Sequence, residues 1–482
     1  MSATMLPNII IIVMDTAGAK RCSTYGHHLE TTPGLSRIAR EGTLYRRSFA
    51  PSTWTVPSHA SLFSGLYPSE HGIDGKTLAI PENLYSLPEV LQQMGYRTAA
   101  ISCNGLANFM RGFDVFYEMD TLFKSEKYQQ DRFALRALHL TSDSELTRFR
   151  QTMQYIFEHH SYSFPLKNII DRLFKKHFTN LYYRTWKATN RSFNIASHLF
   201  KQYCGKQPLF IFMNLMESHW KYNPPLEYSN IIKTTAEERK KLLNYDVMDY
   251  YIKGISPDYM EKIYLLYQQA LWYLDKKLYE FYQALGQAGV RDQTMFAATS
   301  DHGEALGERG VWGHLFGVYN ETIHVPLVVK YPAGVREPGE DMRLAQLNDL
   351  FATALEMIGV PLPLPDSSRS LLGPPRDYAF AEHYRIVGLE AIQKRVPDYP
   401  PAPYMLPSRT VISDDLFKLI EWSDGRLELY DLNRDWHETE NLADRPEQAE
   451  RIRQLSRVLL EKFGPIKDLV PQAAKEEIPD YI

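Results

Sequence analysis

The stretch "NIIIIVMD" at residues 8–15 constrains the fold more than any other part of the chain. Four isoleucines, a valine and a methionine follow one another without a polar interruption until Asp15. A strand with one wet face alternates in polarity. A run that is apolar at every position belongs to a strand covered on both faces, as in the interior of a parallel sheet. Parallel strands need crossover helices, and the chain supplies them. "ETTPGLSRIAREG" predicts a helix with Thr32 as its cap and Pro33 in its first turn. "SLPEVLQQMGY" predicts a second, in which Ser86 and Glu89 form a capping box. "RTAAIS", "PLFIFMNLM", "TMFAATS" and "HVPLVVKYP" read as short buried strands. Ahead of "TMFAATS", Ile263, Leu266, Tyr267, Ala270, Leu274, Leu278, Phe281 and Leu285 keep helical spacing. The expected class is α/β, with a mostly parallel central sheet sandwiched by helices. Chemistry in such a sheet sits beyond the carboxyl ends of the strands.

Two segments depart from this pattern. Residues 121–205 are rich in aromatics and carry 14 Lys/Arg against 6 Asp/Glu, a balance of 14 − 6 = +8. They read as a helical insertion, with "LKNIIDRLFKKHF" amphipathic. One reading makes it a solvated face over a core stripe; the other makes it a cap that attracts an anionic substrate or a lipid headgroup. From about residue 365 Pro and Ser cluster, which divides the chain into a catalytic domain, 1–365, and a C-terminal α+β subdomain, 366–482. In the latter, "SRTVISDDLFKLIEW" and "GRLELYDLN" predict a small antiparallel sheet, and "RPEQAERIRQLSRVLLEKF" a helix.

The net charge of −4 gives no bias toward nucleic acid. Cys22, Cys103 and Cys204 are too few and too widely spaced for a disulfide framework or a thiolate metal site, which suits a reducing compartment. The apolar run near the N-terminus is too short for a signal peptide core, and no stretch reaches membrane-spanning length. A soluble cytoplasmic protein is expected, with no membrane span.

Several polar residues fall just past strand ends: Asp15, then Glu217 and His219, then Asp301, His302 and Glu304. A lone aspartate there is usually a helix cap. The Asp-His pair of "SDHGE" is not explained by capping. With Asp15 it offers two carboxylates and an imidazole, a hard-to-borderline site for a divalent cation. "APSTWTVPSHASLFSG" then sets Thr55 at the mouth of a helix. A cation beside that hydroxyl would lower its pKa and make it a nucleophile, while the helix N-terminus cradles an anion.

These segments together resemble the sulfatases of the alkaline phosphatase superfamily. "MDTAGAKRCSTYGHHLETTPGLSRIAREG" is similar to the family's opening D-T-L-R-A-D-x-L-x-x-Y-G and T-P-x-L-x-x-L-A-x-E-G. "TVPSHASLFSGLYPSEHGI" resembles its nucleophile segment, C/S/T-x-P-S-[RH]-x-S-L-x-[TS]-G-x-x-P-x-x-H-G. "MESHWKYNPP", "SDHGEALGERGVWGH", "NETIHVPLVVKYP" and "FKLIEWSDGRLELYDLNRDWHETENLA" match further family elements in order. Only the basic insertion and residues 365–405 lack a counterpart.

The resemblance implies Asp15, Thr55, Asp301 and His302 as metal ligands. Relatives commonly place a second acidic residue where this chain has Thr16, so Mn²⁺ or Zn²⁺ is favoured over Ca²⁺ or Mg²⁺. Sulfate-cleaving members usually carry a cysteine, oxidised to formylglycine, at the position of Thr55. A formylglycine hydrate expels sulfate by collapsing to the aldehyde; a threonine ester has no such exit and must be displaced at the central atom. The resemblance therefore implies a metal-dependent phosphoester hydrolase, a phosphodiesterase or a phosphate or phosphonate monoester hydrolase, with a covalent Thr55 intermediate. A phosphotransferase to a soluble acceptor, a sulfatase working from a plain threonine and a non-catalytic binding protein are the alternatives. His59 replaces an arginine that supports the nucleophile; His219 matches a substrate-binding histidine, and His314 stands near a lysine position. Either His219 or His314 is the expected general acid. Lys20 reads as a surface charge or as a contact to a second charged group of a small or lipid-like anionic ester, and Glu321 and His324 read as structural.

Overall fold

Asn8–Met14 forms strand β1 at the centre of an eight-stranded sheet, and every one of its residues is buried. The computed structural model describes residues 6–73, 80–104, 111–119, 127–128, 130–132, 134–135, 144–177, 185–225, 235–360, 365–384 and 387–469. The other strands of this sheet are β2 (Thr43–Phe49), β3 (Arg97–Ser102), β4 (Val115–Glu118), β5 (Leu209–Leu215) and β6 (Thr294–Thr299). After a two-stranded ribbon of β7 (Ala305–Leu306) and β8 (Trp312–Gly313), the sheet is completed by β9 (Leu327–Lys330) and β10 (Gly339–Gln346). Its order is β10-β2-β9-β6-β1-β5-β3-β4. All neighbours run parallel except β9, which is antiparallel to β2 and β6.

Two cores explain the unbroken apolar run. Ile10, Ile12 and Met14 face the long helix Pro257–Gln287 through Leu266, Ala270 and Leu274. Ile9, Ile11 and Val13 face the opposite layer, with Phe63, Leu350 and Phe351. Each buried side chain of this size contributes roughly 1.5–3 kcal/mol, so neither face of β1 tolerates a polar residue.

Helix α1 (Pro33–Ala39) forms where expected, but Thr32 does not cap it. The Thr32 hydroxyl is engaged with Ser23 and Thr24, and Asp275 of the long helix takes its place. Asp275 accepts from the Gly34 and Leu35 N–H groups at 2.6 and 2.7 Å. The approach is so close that a Cβ on Gly34 would lie 2.7 Å from the Tyr279 Cβ. Asp275→Ala strands two buried donors and is expected to destabilise the fold by about 1–3 kcal/mol, read as a lower urea midpoint at unchanged m-value. The capping box of helix Leu87–Gln93 is also absent. Ser86 Oγ donates instead to the Arg111 carbonyl, and Glu89 pairs with the Arg111 guanidinium.

The C-terminal sheet is antiparallel in the order β11 (Tyr378–His383), β12 (Ser408–Ser413), β13 (Phe417–Trp422), β14 (Leu427–Asp431). Helix Ala449–Phe463 packs Leu455 and Leu459 against Val411, Leu419 and Leu429. β11 has no counterpart in the sequence reading, because "YAFAEH" is short and follows a Pro-rich stretch. It docks on the segment that follows β2 through a parallel bridge between Ser52 and Glu382. We propose a boundary near residue 365, supported by the switch from one sheet to the other between β10 and β11. The insertion is helical where it is described. Its last helix, Thr185–Tyr203, packs Phe193, Ala196, Leu199 and Phe200 into the main core.

Candidate active site

Because β1 and β6 are parallel neighbours in register Val13↔Thr299, the residues that follow them arrive together. Asp15, Asp301 and His302 are fully buried, and one ligand atom from each lies within 4.8 Å of the others. His302 Nδ1 donates to the Gly303 carbonyl at 3.0 Å, because a carbonyl can only accept. Its Nε2 is left with a lone pair, 3.3 Å from Asp301 Oδ2 and 3.9 Å from Asp15 Oδ1.

The two carboxylates are half satisfied. Asp15 Oδ2 accepts from Asn104 Nδ2 (2.9 Å) and Asn214 Nδ2 (3.0 Å). Asp301 Oδ1 accepts from the Thr16 N–H (3.4 Å) and the His302 N–H (3.1 Å). Asp15 Oδ1 and Asp301 Oδ2 are buried with no hydrogen-bond partner. Burial and the charge of Asp15 push Asp301 up to about 7. Asp15 moves the other way: burial acts to raise it, but His219, His302 and the two asparagines hold it below the usual carboxylate range. Two buried carboxylates with orphaned oxygens beside a bare imidazole nitrogen are costly without a compensating cation and well suited to hold one. Thr16 is not part of that set. Its backbone sits at φ 63°, and its hydroxyl donates to the Ser218 carbonyl.

Thr55 is the first residue of helix α2 (Thr55–Ser64). Its Oγ1 is buried, 3.4 Å from His302 Nε2 and 3.4 Å from Asn104 Nδ2. His59, one turn on, donates Nδ1–H to the Thr55 carbonyl (2.8 Å) and lies 3.5 Å from Asp301 Oδ2. Its ring is edge-on to Phe212 and its Nε2 meets Asn214. It fixes the first turn of α2. Behind that helix His71 accepts from the Ile73 N–H at Nδ1 (3.0 Å) and meets Ser61 Oγ at Nε2 (3.1 Å), and burial pushes it down to about 3. A folded pKa below the unfolded one means the unfolded chain binds the extra proton. Wild-type stability should therefore fall, relative to His71→Gln, by up to about 1.4 kcal/mol per pH unit as pH drops from about 6.5 toward 3, measured by urea titrations at each pH.

His219 and His314 complete a row of imidazoles with His302. Ring centroids are 4.3 Å apart for His302–His314 and 5.3 Å for His219–His314. His219 Nδ1 donates to the Trp220 carbonyl at 2.7 Å. Burial acts to lower its pKa, but the carboxylates of Asp15 and Glu304 outweigh this and raise it. His314 Nδ1 donates to Glu304 Oε1 (3.1 Å), whose other oxygen accepts from Tyr222. Burial with His302 and His219 beside it holds His314 well below the ordinary value. The ribbon β7–β8 explains this pairing, since it folds the chain back and sets His314 beside Glu304.

Lys20 is not brought to this cluster. Its ammonium is held by Glu308 (3.2 Å) and Glu321 (3.3 Å), so its charge is already compensated. His324 Nε2 donates to the Arg46 carbonyl at 3.0 Å, away from the ligand set. The sequence reading missed Asn104, Asn214, Glu304 as a partner of His314, and His383. The last comes from β11: its Nδ1 bonds Thr53 Oγ1 at 2.7 Å, its Nε2 is buried without a partner, and it is close enough to depress His314.

The chain as a whole matches known proteins. The family model described as Sulfatase matches residues 7–360, and one described as N-sulphoglucosamine sulphohydrolase, C-terminal, matches 307–463. The N-acetylglucosamine-6-O-sulfatase of Bacteroides thetaiotaomicron is 24% identical, over 97% of this chain and 88% of that protein. The multifunctional alkaline phosphatase superfamily protein PehA of Trinickia caryophylli is 24% identical, over 88% of this chain and 87% of its own. The crystal structure of the phosphonate monoester hydrolase of Agrobacterium radiobacter superposes with a TM-score of 0.65 at 20% identity, covering 94% of this chain and 95% of that one. With the Sulfatase match spanning the sheet, helix α2 and the candidate ligands, the chain belongs to the sulfatase family and is a hydrolase of sulfuric or phosphoric esters.

Proposed function

We propose that the chain hydrolyses anionic phosphate or phosphonate esters through a covalent intermediate on Thr55. The observation that carries this reading is the identity of residue 55. A threonine hydroxyl cannot become an aldehyde hydrate, and none of the cysteines Cys22, Cys103 and Cys204 stands at the start of α2. Displacement at phosphorus is the chemistry left to a threonine ester. The likeness to a phosphonate monoester hydrolase is in keeping with it. Sulfate-ester hydrolysis from a plain threonine is the second reading, favoured by the names of the sulfatase relatives.

Asp15, Asp301, His302 and Thr55 would hold one divalent ion, Mn²⁺ or Zn²⁺ by donor type, whose charge lowers the hydroxyl pKa and offsets the ester oxygens. The chain's own groups do the rest. Asn104 Nδ2 donates to Thr55 Oγ1 and to Asp15, and so keeps nucleophile and ligand in one geometry. His59 holds the first turn of α2 by its bond to the Thr55 carbonyl. The α2 N-terminus directs its unpaired N–H groups at the incoming anion. His219, whose pKa Asp15 and Glu304 raise against the lowering effect of burial and whose Nδ1 donates to the Trp220 carbonyl, is the group we assign to protonate the leaving oxygen from Nε2. His314, oriented by Glu304, binds the ester oxygens or the incoming water.

The test is a matched set of aryl esters: a phosphate diester, a phosphate monoester, a phosphonate monoester and a sulfate, with added Mn²⁺ or Zn²⁺. Phosphorus esters turned over well ahead of the sulfate support the reading; sulfate turnover alone overturns it. General-acid work by His219 makes a narrower prediction. His219→Asn should slow an alkyl ester by about 10²–10⁴-fold and a nitrophenyl ester far less, because only the poor leaving group needs the proton. Equal losses on both would assign His219 to binding.

A further inference from the structure

Helices Glu145–Glu158 and Phe164–His177 of the insertion carry a surface that this chemistry does not use. Their inner side is anchored. Ile156 and Phe164 are buried, Phe164 stacks on Tyr128 at 5.3 Å, and Ser161 Oγ donates to the buried Asp131 at 2.8 Å. Their outer side is apolar as well. Leu146, Phe149, Met153 and Phe157 fall at i, i+3, i+7 and i+11, a single stripe along the first helix. Leu166, Ile169, Ile170 and Leu173 make the same stripe on the second. All eight are exposed, six of them by 53 to 64%. The core stripe expected of the insertion is present in Thr185–Tyr203, whereas this helix pair carries a second apolar stripe that faces out.

Of the fourteen exposed large apolar side chains among the described residues, eight lie in this helix pair and a ninth, Tyr162, in the turn that joins them. Scattered singly they would need no explanation; concentrated, they mark an interaction surface. Its charge selects the occupant. Residues 144–177 contain Arg148, Arg150, Lys167, Arg172, Lys175 and Lys176 against Glu145, Glu158 and Asp171, or 6 − 3 = +3, on a chain whose total is −4. A second copy of the chain would set two basic patches against each other, whereas an anionic surface complements both the charge and the stripe. Each helix has 14 residues, roughly 21 Å of rise against roughly 30 Å of hydrocarbon, so neither can span. We propose that this helix pair docks the protein on an anionic lipid surface, lying in its plane with the stripe in the headgroup boundary.

The experiment is flotation of the full chain with vesicles of phosphatidylcholine mixed with phosphatidylglycerol, and with vesicles of phosphatidylcholine alone. The protein should float with the anionic vesicles at least about tenfold more than with the neutral ones, and high salt should lower the bound fraction. The quadruple variant Phe149→Ser, Phe157→Ser, Leu166→Ser, Ile169→Ser should stay at the bottom, while keeping its melting temperature and its turnover of a soluble aryl ester. All four positions are exposed, so folding is not at stake. A wild type that stays at the bottom with anionic vesicles overturns the proposal, as does a variant that floats like the wild type. A wild-type dimer that the same substitutions make monomeric, without vesicle binding, reassigns the face to self-association and overturns it too.

Discussion

Thr55→Ala is expected to lower kcat on the best aryl ester by about 10⁴-fold or more, with folding and divalent-ion binding retained. The size follows from how little could replace this hydroxyl. Thr55 Oγ1 is buried at the α2 N-terminus between His302 Nε2 and Asn104 Nδ2. The nearby hydroxyls are committed elsewhere: Ser52 donates to the Glu382 carbonyl, Ser58 to the Ser52 carbonyl, and Thr53 bonds His383. Asp15, Asp301 and His302 remain intact in the variant, so ion content separates loss of the nucleophile from loss of the site. Thr55→Ser keeps the hydroxyl and should retain turnover within about tenfold. With a phosphonate ester whose phosphonyl-enzyme is hydrolysed slowly, the peptide spanning residues 50–65 should gain the mass of one phosphonyl group in the wild type and none in Thr55→Ala. Turnover in Thr55→Ala at the wild-type rate would remove Thr55 from the reaction altogether.

Much of this site was legible because parallel strands deliver their C-terminal residues to one edge. The apolar runs of β1 and β6 and the residues that follow them are enough to bring Asp15 and Asp301 together. The supporting groups were harder to see for a physical reason. Asn214 is a single polar residue inside the run "LFIFMNLM", and its role depends on the register Val13↔Asn214 between β1 and β5, which no local pattern encodes. A buried asparagine must find a partner, and that demand was the available signal. Asn104 follows β3, two strands away from β1, so only the strand order brings it to Asp15. His383 arrives from the other sheet, through the Ser52–Glu382 bridge, and rests entirely on tertiary docking. Capping misled for a related reason. Thr32 has the right residue type, but Asp275, more than two hundred positions away, offers two bonds where the local hydroxyl offers one. Local propensity is a weak prior wherever a long-range partner competes.

Asp301→Asn should produce the second large effect, and it should act on activity and stability in opposite directions. Turnover is expected to fall by about 10³-fold or more with loss of stoichiometric divalent-ion binding, since a ligand and its charge are both removed. Stripped of metal by chelation, however, the variant should be more stable than the equally stripped wild type by about 1–3 kcal/mol. The wild-type apo site keeps Asp15 Oδ1 and Asp301 Oδ2 buried and unpartnered, with the charge of Asp15 acting on Asp301. An asparagine Oδ1 can still accept from the Thr16 and His302 N–H groups, as Asp301 Oδ1 does. Its Nδ2 then stands where Asp301 Oδ2 lies 3.3 Å from the lone pair on His302 Nε2, and an unfavourable contact becomes a donor–acceptor pair. Calorimetric melts of four samples decide it: wild type and Asp301→Asn, each with excess Mn²⁺ and after chelation. Wild type should melt highest when loaded and lowest when stripped, with both variant samples coinciding between them. If the stripped wild type instead melts above the variant, the carboxylate of Asp301 is stabilising in its own right. The orphaned oxygens would then no longer argue for a cation between Asp15 and Asp301.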